Sequence, residues 1–541
     1  MKPVILKPFC IKAVLFDFDG TLTRPGALDF PLLKQTIGCP PEALVLEFIQ
    51  SLPTAARQKE ARDVLERFER NAAENSKPNV GAEDLVAYLR SKGIALGIIT
   101  RNTLDSINRA FQNFNTIGVS DFDLIITRET PVKRKPNPDG ILLAAQKLKV
   151  DVGQLLMVGD FFFDIQAGQE AGSLTAFLDN GVNSGPSKIA SDFRISRLEE
   201  LKTIVRFGSP LSMGKLPNDI LEMFLQEFDF QDASVLIPPG IGEDTAAVNV
   251  QETEVLVLKS DPITFVTDSI GHYAVLINAN DIATAGAIPR WLLTTLLFPC
   301  GTTPSEIWQV MHELESTCRR WDIMLCGGHT EITDAVTRPV VAGMLAGTVA
   351  RRDLIDKRNM KPGDKVMLTK AVAVEGTAII ARKFEDRLKR LGLPEAEIEK
   401  SKAFVSEISI LKEAKIAGET VGVSAMHDVT EGGLATALEE LSIAGGHRIK
   451  IDISRIPYFP QTQKIGRLLN IDPLGLIGSG SLLICCQESV CENLMAGIRN
   501  AGIKVTCIGE VRGTGRGIEA VWHDAPAKWP AFEVDELVRL F

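Results

Sequence analysis

Two carboxylates in the segment Val14–Thr23 are spaced for joint chemistry. An apolar run leads into Asp17 and Asp19, and Gly20 then allows a tight turn. Because residues i and i+2 of a strand face the same side, both carboxylates can point into one site at the strand's carboxyl end. One could attack phosphorus while the other donates and accepts a proton. A divalent ion such as Mg²⁺ would offset the negative charge. The alternative is an acidic strand end without chemistry.

The string Asp-Phe-Asp-Gly-Thr at residues 17–21 resembles the first signature of the haloacid dehalogenase (HAD) superfamily of phosphohydrolases. The other three pieces of that family follow in the family's order. Thr100 ends a buried-strand run, and Lys135 lies in a Lys-Pro-Asn-Pro context. Asp160 ends a third apolar run, and Asp164 follows it after three residues. The four pieces together predict a phosphatase in the first third of the chain.

The resemblance implies a role for each of these residues. Asp17 would form an aspartyl-phosphate, and Asp19 would act as acid and base. Thr100 and Lys135 would hold the phosphoryl oxygens, where a point positive charge stabilises the transferring group. The carboxylates expected around the metal ion are Asp17, Asp19, Asp160 and Asp164.

A helical insertion at about residues 27–76 interrupts the Rossmann-like pattern. Pro41–Leu52 has an apolar stripe, and Thr54–Asn75 is charged and alanine-rich, so both are predicted to be helices. In the HAD superfamily an insertion here is a cap that covers the site, and its short length suits a small phosphorylated metabolite. Arg101 and Asn102 either help to bind that substrate or simply start a helix.

Composition excludes several classes of protein. With 541 residues, 45% apolar and 24% charged, the chain fits a multidomain globular protein. A net charge of -10 argues against a nucleic-acid partner, because phosphate backbones require a basic face. The nine cysteines show no metal-binding spacing, and Pro339–Ala350 is too short to cross a bilayer. We therefore expect no membrane partner and a cytoplasmic location.

The second half contains five polar segments, each beside a glycine-rich turn or a strand end. They are Gly242–Val248, Lys259–Pro262, Asn278–Ala287, Cys326–Glu331 and Met426–Leu434. Acids on distant strands without a Walker-type lysine loop suggest phosphate held through bridging Mg²⁺ ions. The alternative for any single aspartate is a helix cap or a turn former.

Three local structures are predicted within these segments. The strand Val255–Leu258 should end at the segment Lys259–Pro262, which contains Asp261. Gly327 and Gly328 should form a turn that presents polar side chains. A helix should open after the segment that begins at Met426, where glycine-rich backbone amides could cradle an anion.

The motifs GEDTAA, SDP, NANDIATAGA, GGHTE and HDVTEGGL resemble, in that order, those of the aminoimidazole-ribonucleotide (AIR) synthetase-like superfamily. The resemblance spans about Gly214 to Val521. It implies ATP and Mg²⁺ bound at a cleft shared by two subunits, and transfer of the γ-phosphate to an amide-type oxygen or a related acceptor. The resemblance implies that the metal ligands are Asp244, Asp261 and Asp281. The residues expected at the ATP or the acceptor are Lys215, Asn278, Glu331, His427 and Asp428.

Two departures leave the second substrate open. The segment Met213–Lys215 lacks the cysteine or selenocysteine of selenophosphate synthetases. The tail Trp529–Phe541 lacks the cysteine acceptor of the hydrogenase-maturation carbamoyl dehydratases, which this half otherwise resembles in overall look. The sequence therefore indicates the superfamily of the second half but does not identify the molecule that accepts the phosphate.

The sequence as a whole predicts an α/β protein. A Rossmann-like HAD core with a small helical cap is followed by α+β AIR synthetase-like N-terminal and C-terminal subdomains. The predicted limits are 1–206 for the hydrolase, 207–214 for a linker, and 215–352 and 353–541 for the two subdomains. We expect a bifunctional, homodimeric enzyme. The alternative makes the second half a nucleotide-binding module that regulates and dimerises the phosphatase.

Overall fold

The computed structural model divides into two compact units. The first comprises Met1–Ser212 with Gly301–Ile307, and the second comprises Met213–Cys300 with Trp308–Phe541. The residues that the structure describes are 8–181, 190–211, 214–215, 217–228, 232–237, 247–248, 250, 253–264, 268–532 and 534–541. Among them, none of the helices combines the length and the apolar character that a bilayer span requires.

The first unit alternates strands and helices. Its strands are β1 (Ala13–Phe16), β2 (Ala95–Ile99), β3 (Leu124–Ile126), β4 (Leu155–Gly159), β5 (Leu174–Leu178) and β6 (Phe193–Ile195). Its helices are α1 (Phe30–Ile37), α2 (Val45–Ser51), α3 (Ala55–Asn75), α4 (Ala82–Ser91), α5 (Leu104–Phe111), α6 (Asp139–Leu148), α7 (Phe162–Ala171) and α8 (Glu200–Gly208). The six strands form one parallel sheet in the order β3-β2-β1-β4-β5-β6.

The centre of this sheet is buried on both faces. Val14 and Phe16 of β1 belong to one apolar core, whereas Ala13 and Leu15 belong to the core on the other face. This alternation explains why the strand is an unbroken apolar run. The predicted Rossmann-like core is confirmed, and the carboxyl ends of β1 and β4 lie side by side.

The insertion between β1 and α4 is helical. It comprises α1, α2 and α3, which share a small apolar core that includes Leu33, Ile49 and Leu65. The Thr54 hydroxyl caps α3 by accepting a hydrogen bond from the backbone N–H of Arg57 over 3.3 Å. A cap with a core of its own can keep its shape while it covers a site.

The predicted linker begins inside a helix. Helix α8 continues through Phe207 to Gly208, and both residues are buried. The prediction that the linker starts at residue 207 is therefore wrong. Phe207 completes the apolar face of α8, and a Cβ on Gly208 would lie 2.8 Å from the ring of Phe9. Tertiary packing thus extends the helix over residues whose composition is typical of linkers.

The second unit contains fourteen strands among the described residues. They are β7 (Gly214–Lys215), β8 (Val235–Ile237), β9 (Ala247–Val248), β10 (Glu254–Ile263), β11 (Ile288–Pro299), β12 (Met324–Thr333), β13 (Val340–Ala350), β14 (Lys365–Thr369), β15 (Val423–Asp428), β16 (His447–Asp452), β17 (Leu482–Cys486), β18 (Val505–Thr514), β19 (Ile518–Trp522) and β20 (Ala525–Pro526). They form a five-stranded sheet (β10-β13-β11-β12-β7), a seven-stranded sheet (β15-β17-β14-β18-β16-β19-β20) and the pair β8-β9.

Most pairings in these sheets are antiparallel, and helices cover the sheets. The helices are α9 (Asn218–Glu227), α10 (Ile270–Thr284), α11 (Pro304–Arg320), α12 (Val374–Lys383), α13 (Glu385–Arg390), α14 (Glu395–Lys402), α15 (Leu411–Gly418), α16 (Gly433–Gly445), α17 (Pro460–Leu469) and α18 (Glu488–Asn500). Helix α11 starts in the segment that clusters with the first unit. The predicted α+β architecture is confirmed.

Two local predictions in this unit are wrong. Strand β10 does not end before Asp261 but continues to Ile263, because it pairs with β13 along its whole length. Gly327 and Gly328 are not in a turn but inside β12. A Cβ on Gly328 would lie 2.1 Å from the carbonyl oxygen of Thr294, so glycine here permits close approach of β11.

The helix predicted after the Met426 segment is present. Strand β15 ends at Asp428, and α16 begins at Gly433 after a turn in which Gly432 has a φ of 77°. Helix α10 contacts the segment before α15 through Asn280, which is fully buried. The Asn280 side chain donates a hydrogen bond to Ile408 O over 2.8 Å and accepts one from Ile410 N over 3.0 Å.

Candidate active sites

Three carboxylates meet at the carboxyl ends of β1 and β4. The carboxylates of Asp17, Asp160 and Asp164 each offer an oxygen within 4.8 Å of the others. Asp160 and Asp164 are buried, and burial together with the charge of Asp17 raises the pKa of each to about 7. A concentration of buried negative charge of this kind fits a divalent cation bound by oxygen ligands.

Lys135 supplies a positive charge to the same cluster. Its ammonium lies 2.5 Å from Asp17 Oδ1 and 2.6 Å from Asp164 Oδ1, and its side chain is only 5% exposed. Burial disfavours the charge, but the neighbouring carboxylates outweigh burial and raise the pKa of Lys135. One lysine faces three aspartates, so negative charge remains in excess.

Asp19 lies at the mouth of the cluster. Its side chain reaches solvent, and Asn102 Nδ2 donates to its Oδ2 over 2.6 Å. Desolvation by the surrounding cleft, together with the charge of Asp17, raises the pKa of Asp19 to about 6. A carboxyl with such a pKa can exchange a proton near neutral pH, as a general acid and base must.

Thr100 lies at the end of β2, next to β1. It is buried, and its hydroxyl oxygen accepts a hydrogen bond from the backbone N–H of Asn102 over 3.1 Å. No hydrogen bond from this hydroxyl to another described residue is present, so its proton can be donated to a ligand oxygen. Of the alternatives for Asn102, the contact with Asp19 favours a role in the site, whereas Arg101 pairs with Glu47 of the cap.

Sequence reasoning missed Asn180. This residue follows β5, and its Nδ2 donates to Asp160 Oδ2 over 3.0 Å and to Gly20 O over 3.2 Å. It therefore orients a carboxylate of the cluster and fixes the turn after β1. The rule that polar residues at the carboxyl ends of parallel strands reach one site could have found it.

A second acidic cluster lies in the second unit. Lys259 Nζ is 3.0 Å from Asp261 Oδ2 and 3.2 Å from Asp281 Oδ2. Asp428 is 3% exposed, and its Oδ2 has no hydrogen-bond partner among the described residues. Burial and the charge of Asp281 raise the pKa of Asp428 to about 8. The charge interaction with Asp281 shows that Asp428 lies in the neighbourhood of this pair. A buried carboxylate oxygen without a partner among the described residues favours a nearby cation.

Asn278 has a structural contact in this cluster. It is fully buried, its Oδ1 accepts from the backbone N–H of Asp261 over 2.9 Å, and its Nδ2 donates to Ala274 O over 2.9 Å. The amide thus fixes the strand that carries Asp261 against α10. The structure gives it this positioning contact in place of a free amide directed at phosphate.

The remaining predicted residues lie at separate places. Lys215 and Glu331 are opposite each other on β7 and β12, and Glu331 is 3.4 Å from the imidazole of His329. His427 Nε2 is 3.1 Å from Glu440 Oε2. Asp244 lies outside the described residues.

Cys326 is an unsuitable nucleophile in this structure. The side chain is buried in β12, and burial raises the pKa of its thiol to about 12. A thiol with such a pKa stays protonated at neutral pH, and nucleophilic cysteines act as thiolates. The thiol is therefore part of the apolar core beneath the sheet.

A parallel sheet with acids at the carboxyl ends of β1 and β4 is the arrangement of an α/β enzyme whose site lies at that edge of the sheet. Residues 14–177 match the family model of haloacid dehalogenase-like hydrolases. Residues 242–349 and 361–521 match the N-terminal and C-terminal domains of AIR synthase related proteins. A protein of Saccharomyces cerevisiae named "Uncharacterized hydrolase YOR131C" is 40% identical over 174 residues, which are 32% of this chain and 79% of that protein.

The chain therefore belongs to the haloacid dehalogenase-like hydrolases, and it fuses this enzyme domain to an AIR synthase-like module. Carbamoyl dehydratase HypE of Cupriavidus necator is 26% identical over 284 residues, which are 51% of this chain and 78% of that protein. A crystal structure of Escherichia coli HypE, a hydrogenase maturation protein, has a TM-score of 0.51 and 21% identity, covering 59% of this chain and 98% of that one. This structural likeness shows the fold.

Proposed function

We propose that the chain is a bifunctional enzyme. Residues 1–206 would hydrolyse the phosphoester of a small phosphorylated metabolite, and residues 215–541 would use ATP to phosphorylate an amide-type or related acceptor. The observation that carries the phosphatase half is the contact of Lys135 with both Asp17 and Asp164 beside an Asp19 whose pKa is about 6.

The reaction in the first half would proceed in two steps. Asp17 attacks phosphorus, the bond to the leaving oxygen breaks, and Asp19 gives that oxygen its proton. Asp19 then removes a proton from water, which hydrolyses the aspartyl-phosphate and frees Asp17. Lys135 and Thr100 bind the phosphoryl oxygens and stabilise their charge in both steps.

Mg²⁺ fits the carboxylate cluster of the first half. Asp17, Asp160 and Asp164 would hold it, because hard cations prefer oxygen ligands and the cluster has more negative charge than Lys135 neutralises. When bound, the ion would offset the repulsion between the phosphate and the carboxylates.

In the second half, Asp261, Asp281 and Asp428 would hold Mg²⁺ and, through it, the phosphates of ATP. The support is the contact of Lys259 with both Asp261 and Asp281, and the buried, unpartnered oxygen of Asp428, whose pKa the charge of Asp281 raises. The match to the AIR synthase related domains and the relative named carbamoyl dehydratase also support an ATP-dependent reaction at an amide-type group.

A homodimer would form through the five-stranded sheet. Leu256, Leu258 and Met344 are 44%, 62% and 44% exposed, and all three share one sheet face because Met344 is paired with Ser260. Neighbouring apolar side chains exposed on a sheet favour an interface. Leu258→Glu should shift the equilibrium from dimer towards monomer, as measured by light scattering. A variant that remains dimeric at micromolar concentration would show that this face is not the dimer interface.

The deciding experiment measures phosphate release with Mg²⁺ from p-nitrophenyl phosphate and from ATP. Asp17→Asn should lower hydrolysis of p-nitrophenyl phosphate by about 10³-fold, because the nucleophile is lost. Asp281→Asn should instead abolish ATP turnover measured with candidate amide acceptors. Asp151→Asn and Asp322→Asn, at exposed acids of the two units, are matched controls.

Either half of the proposal can fail alone. Hydrolysis of p-nitrophenyl phosphate that survives in Asp17→Asn would refute the phosphatase assignment. ATP that binds without turnover would refute the second reaction and favour a nucleotide-binding regulatory module. Two activities lost separately in the two variants would establish two active sites.

A further inference from the structure

Asn102 is hydrogen-bonded through its side chain, its backbone N–H and its carbonyl. Its Nδ2 donates to Asp19 Oδ2 over 2.6 Å, and its backbone N–H donates to Thr100 Oγ1 over 3.1 Å. The backbone N–H of Arg128 donates to Asn102 O over 3.0 Å. The backbone on both sides of this amide is therefore fixed, and the side chain is held against Asp19.

Arg128 is a firm support for Asn102 because it is fixed in turn. Its guanidinium makes two hydrogen bonds, of 2.7 and 2.8 Å, to the carboxylate of Glu69 in α3. The side chains of this pair are only 10% and 8% exposed. Two parallel hydrogen bonds between a planar guanidinium and a carboxylate favour a single geometry. The position of Asn102 is therefore set by contacts that do not involve a substrate.

The side chain of Asn102 is not needed to start helix α5. The residue that caps this helix is Thr103, whose hydroxyl oxygen accepts a hydrogen bond from the backbone N–H of Ser106 over 3.2 Å. A side-chain oxygen in that position is the usual N-terminal cap. Of the two alternatives for Asn102, a helix start is therefore excluded, and its amide contacts the carboxylate of Asp19 instead.

Asp19 has a task that depends on its orientation. In the proposed reaction a bond forms from Asp17 to phosphorus while the bond from phosphorus to the leaving oxygen breaks, and the electron pair left on that oxygen takes the proton of Asp19. The proton must lie within hydrogen-bond reach of the leaving oxygen. Packing does not hold Asp19 on all sides, because its side chain reaches solvent. A hydrogen bond to one of its oxygens restricts the rotation of the carboxyl group.

We propose that Asn102 is a positioning residue that orients Asp19 for proton transfer to the leaving oxygen, and that the substrates are phosphate monoesters of aliphatic alcohols. This inference rests on the proposed phosphatase function and narrows its substrate class. An alkoxide is a poor leaving group and needs a proton as it departs, whereas an acidic phenol, a carboxylate or a phosphate departs as the anion. An oriented proton donor increases the rate only for the first kind of leaving group.

The test compares two leaving groups in the full-length protein with Mg²⁺. The value of kcat/KM is measured for n-propyl phosphate and for p-nitrophenyl phosphate, and it reports the step in which the leaving group departs. We expect Asn102→Ala to lower kcat/KM by about 30-fold for n-propyl phosphate but by less than about 3-fold for p-nitrophenyl phosphate. Asn102→Asp has the same shape without the donor and should show the same split. Asn102→Gln keeps the donor and should restore part of the loss.

Asn180→Ala is a matched control within the same site. The Nδ2 atom of Asn180 donates to Asp160 Oδ2 over 3.0 Å, so it orients a carboxylate that is expected to bind the metal ion and not to transfer a proton. This variant should lower kcat/KM for both substrates by the same factor. Calorimetric titration of Asp17→Asn with inorganic phosphate, with and without Asn102→Ala, measures binding alone and should give equal affinities. Unfolding midpoints show that each variant is folded.

The outcomes distinguish this inference from the proposed function. An equal fall for both leaving groups in Asn102→Ala, no fall for either, or weaker phosphate binding overturns the positioning role. A wild-type protein that hydrolyses p-nitrophenyl phosphate but not n-propyl phosphate refutes the substrate class. Hydrolysis that survives Asp17→Asn, or no hydrolysis of either compound by the wild type, refutes the phosphatase assignment itself.

Discussion

The acids of the phosphatase site can approach one another only because two positions beside them lack a side chain. Gly20 has a φ of 77°, and a Cβ there would lie 2.2 Å from Asp160 Oδ2. A Cβ on Gly159 would lie 2.2 Å from Asp164 Oδ2. Each glycine therefore leaves room for a carboxylate, and Gly20 in addition allows the turn after β1.

We predict that Gly20→Ala lowers phosphatase activity by about 100-fold, because displacing Asp160 by about 1 Å misplaces the site. Gly38→Ala is the matched control. Gly38 has a similar φ of 71°, but nothing lies within 4 Å of its Cβ position. Steady-state hydrolysis of p-nitrophenyl phosphate measures both variants. Equal activity in the two variants would contradict the role of the close approach.

Glu375 makes stability depend on pH. Its side chain is 3% exposed, Oε2 has no hydrogen-bond partner among the described residues, and burial raises its pKa from 4.5 to about 7. A raised carboxyl pKa means that the folded state binds the proton more tightly than the unfolded state. The stability from this group is therefore full below pH 4.5 and is lost as the pH rises through about 7.

Glu375→Gln should remove the loss of folding stability that wild type shows as the pH rises. We expect the variant to exceed wild type in unfolding free energy by up to about 3 kcal/mol at pH 8, and by much less at pH 5. Urea unfolding at both pH values measures the difference. Glu439→Gln, at an exposed glutamate of the same unit, is the control. A stability difference that does not change with pH would contradict the assignment.

Helix α3 provides one of the contacts between the cap and the core. Its Glu69 forms a buried pair with Arg128, in which the side chains are only 8% and 10% exposed. Asn113 adds a hydrogen bond of 2.9 Å to Ala73 O near the end of the same helix. A 21-residue helix is thus fastened at two points, one of which is a desolvated ion pair.

Glu69→Gln should loosen this helix, because it leaves Arg128 buried without its counter-charge. Removing one partner of a buried pair costs about 3 kcal/mol, which corresponds to about 100-fold faster opening. Amide hydrogen exchange of α3 at pH 8 measures the change. Glu66→Gln, at an exposed position of α3, serves as the control. Unchanged protection of α3 in Glu69→Gln would show that the pair does not fasten the cap.

The molecule as a whole has separate apolar cores in its two units. Leu85 is fully buried in the first unit and Leu438 is fully buried in the second, in cores that share no residues. Units with their own cores can unfold as separate cooperative transitions. The two enzyme halves are therefore expected to differ in stability.

Leu85→Ala and Leu438→Ala should each destabilise one unit by about 2 to 5 kcal/mol, through the same loss of buried side chain. Scanning calorimetry should then show two transitions, with each substitution lowering the midpoint of a different one. Loss of p-nitrophenyl phosphate hydrolysis on heating identifies the first-unit transition. A single transition that both substitutions lower equally would contradict independent unfolding.

Local patterns predicted the α/β core of the first half, whereas the architecture of the second half was predicted from the resemblance of its motifs to a known superfamily. Buried strands such as β1 and β4 are short apolar runs ended by polar residues, and this pattern depends only on neighbouring residues. The same runs predicted that Asp17 and Asp160 follow strands. Where glycines gave a turn signal at Gly327, the pattern failed, because pairing with a distant strand outweighed local preference.

The sequence by itself determined the order of the elements and which acids follow which strands, since periodicity and turn chemistry act over a few residues. Only the tertiary structure decided which charges meet. Glu69 pairs with Arg128 across 59 positions, a contact that no motif indicated, whereas the meeting of Lys135 with Asp17 across 118 positions was implied only by the family resemblance. Such contacts depend on how whole elements pack. Electrostatic energy and pKa follow distance in space, and the order of residues in the chain does not fix that distance.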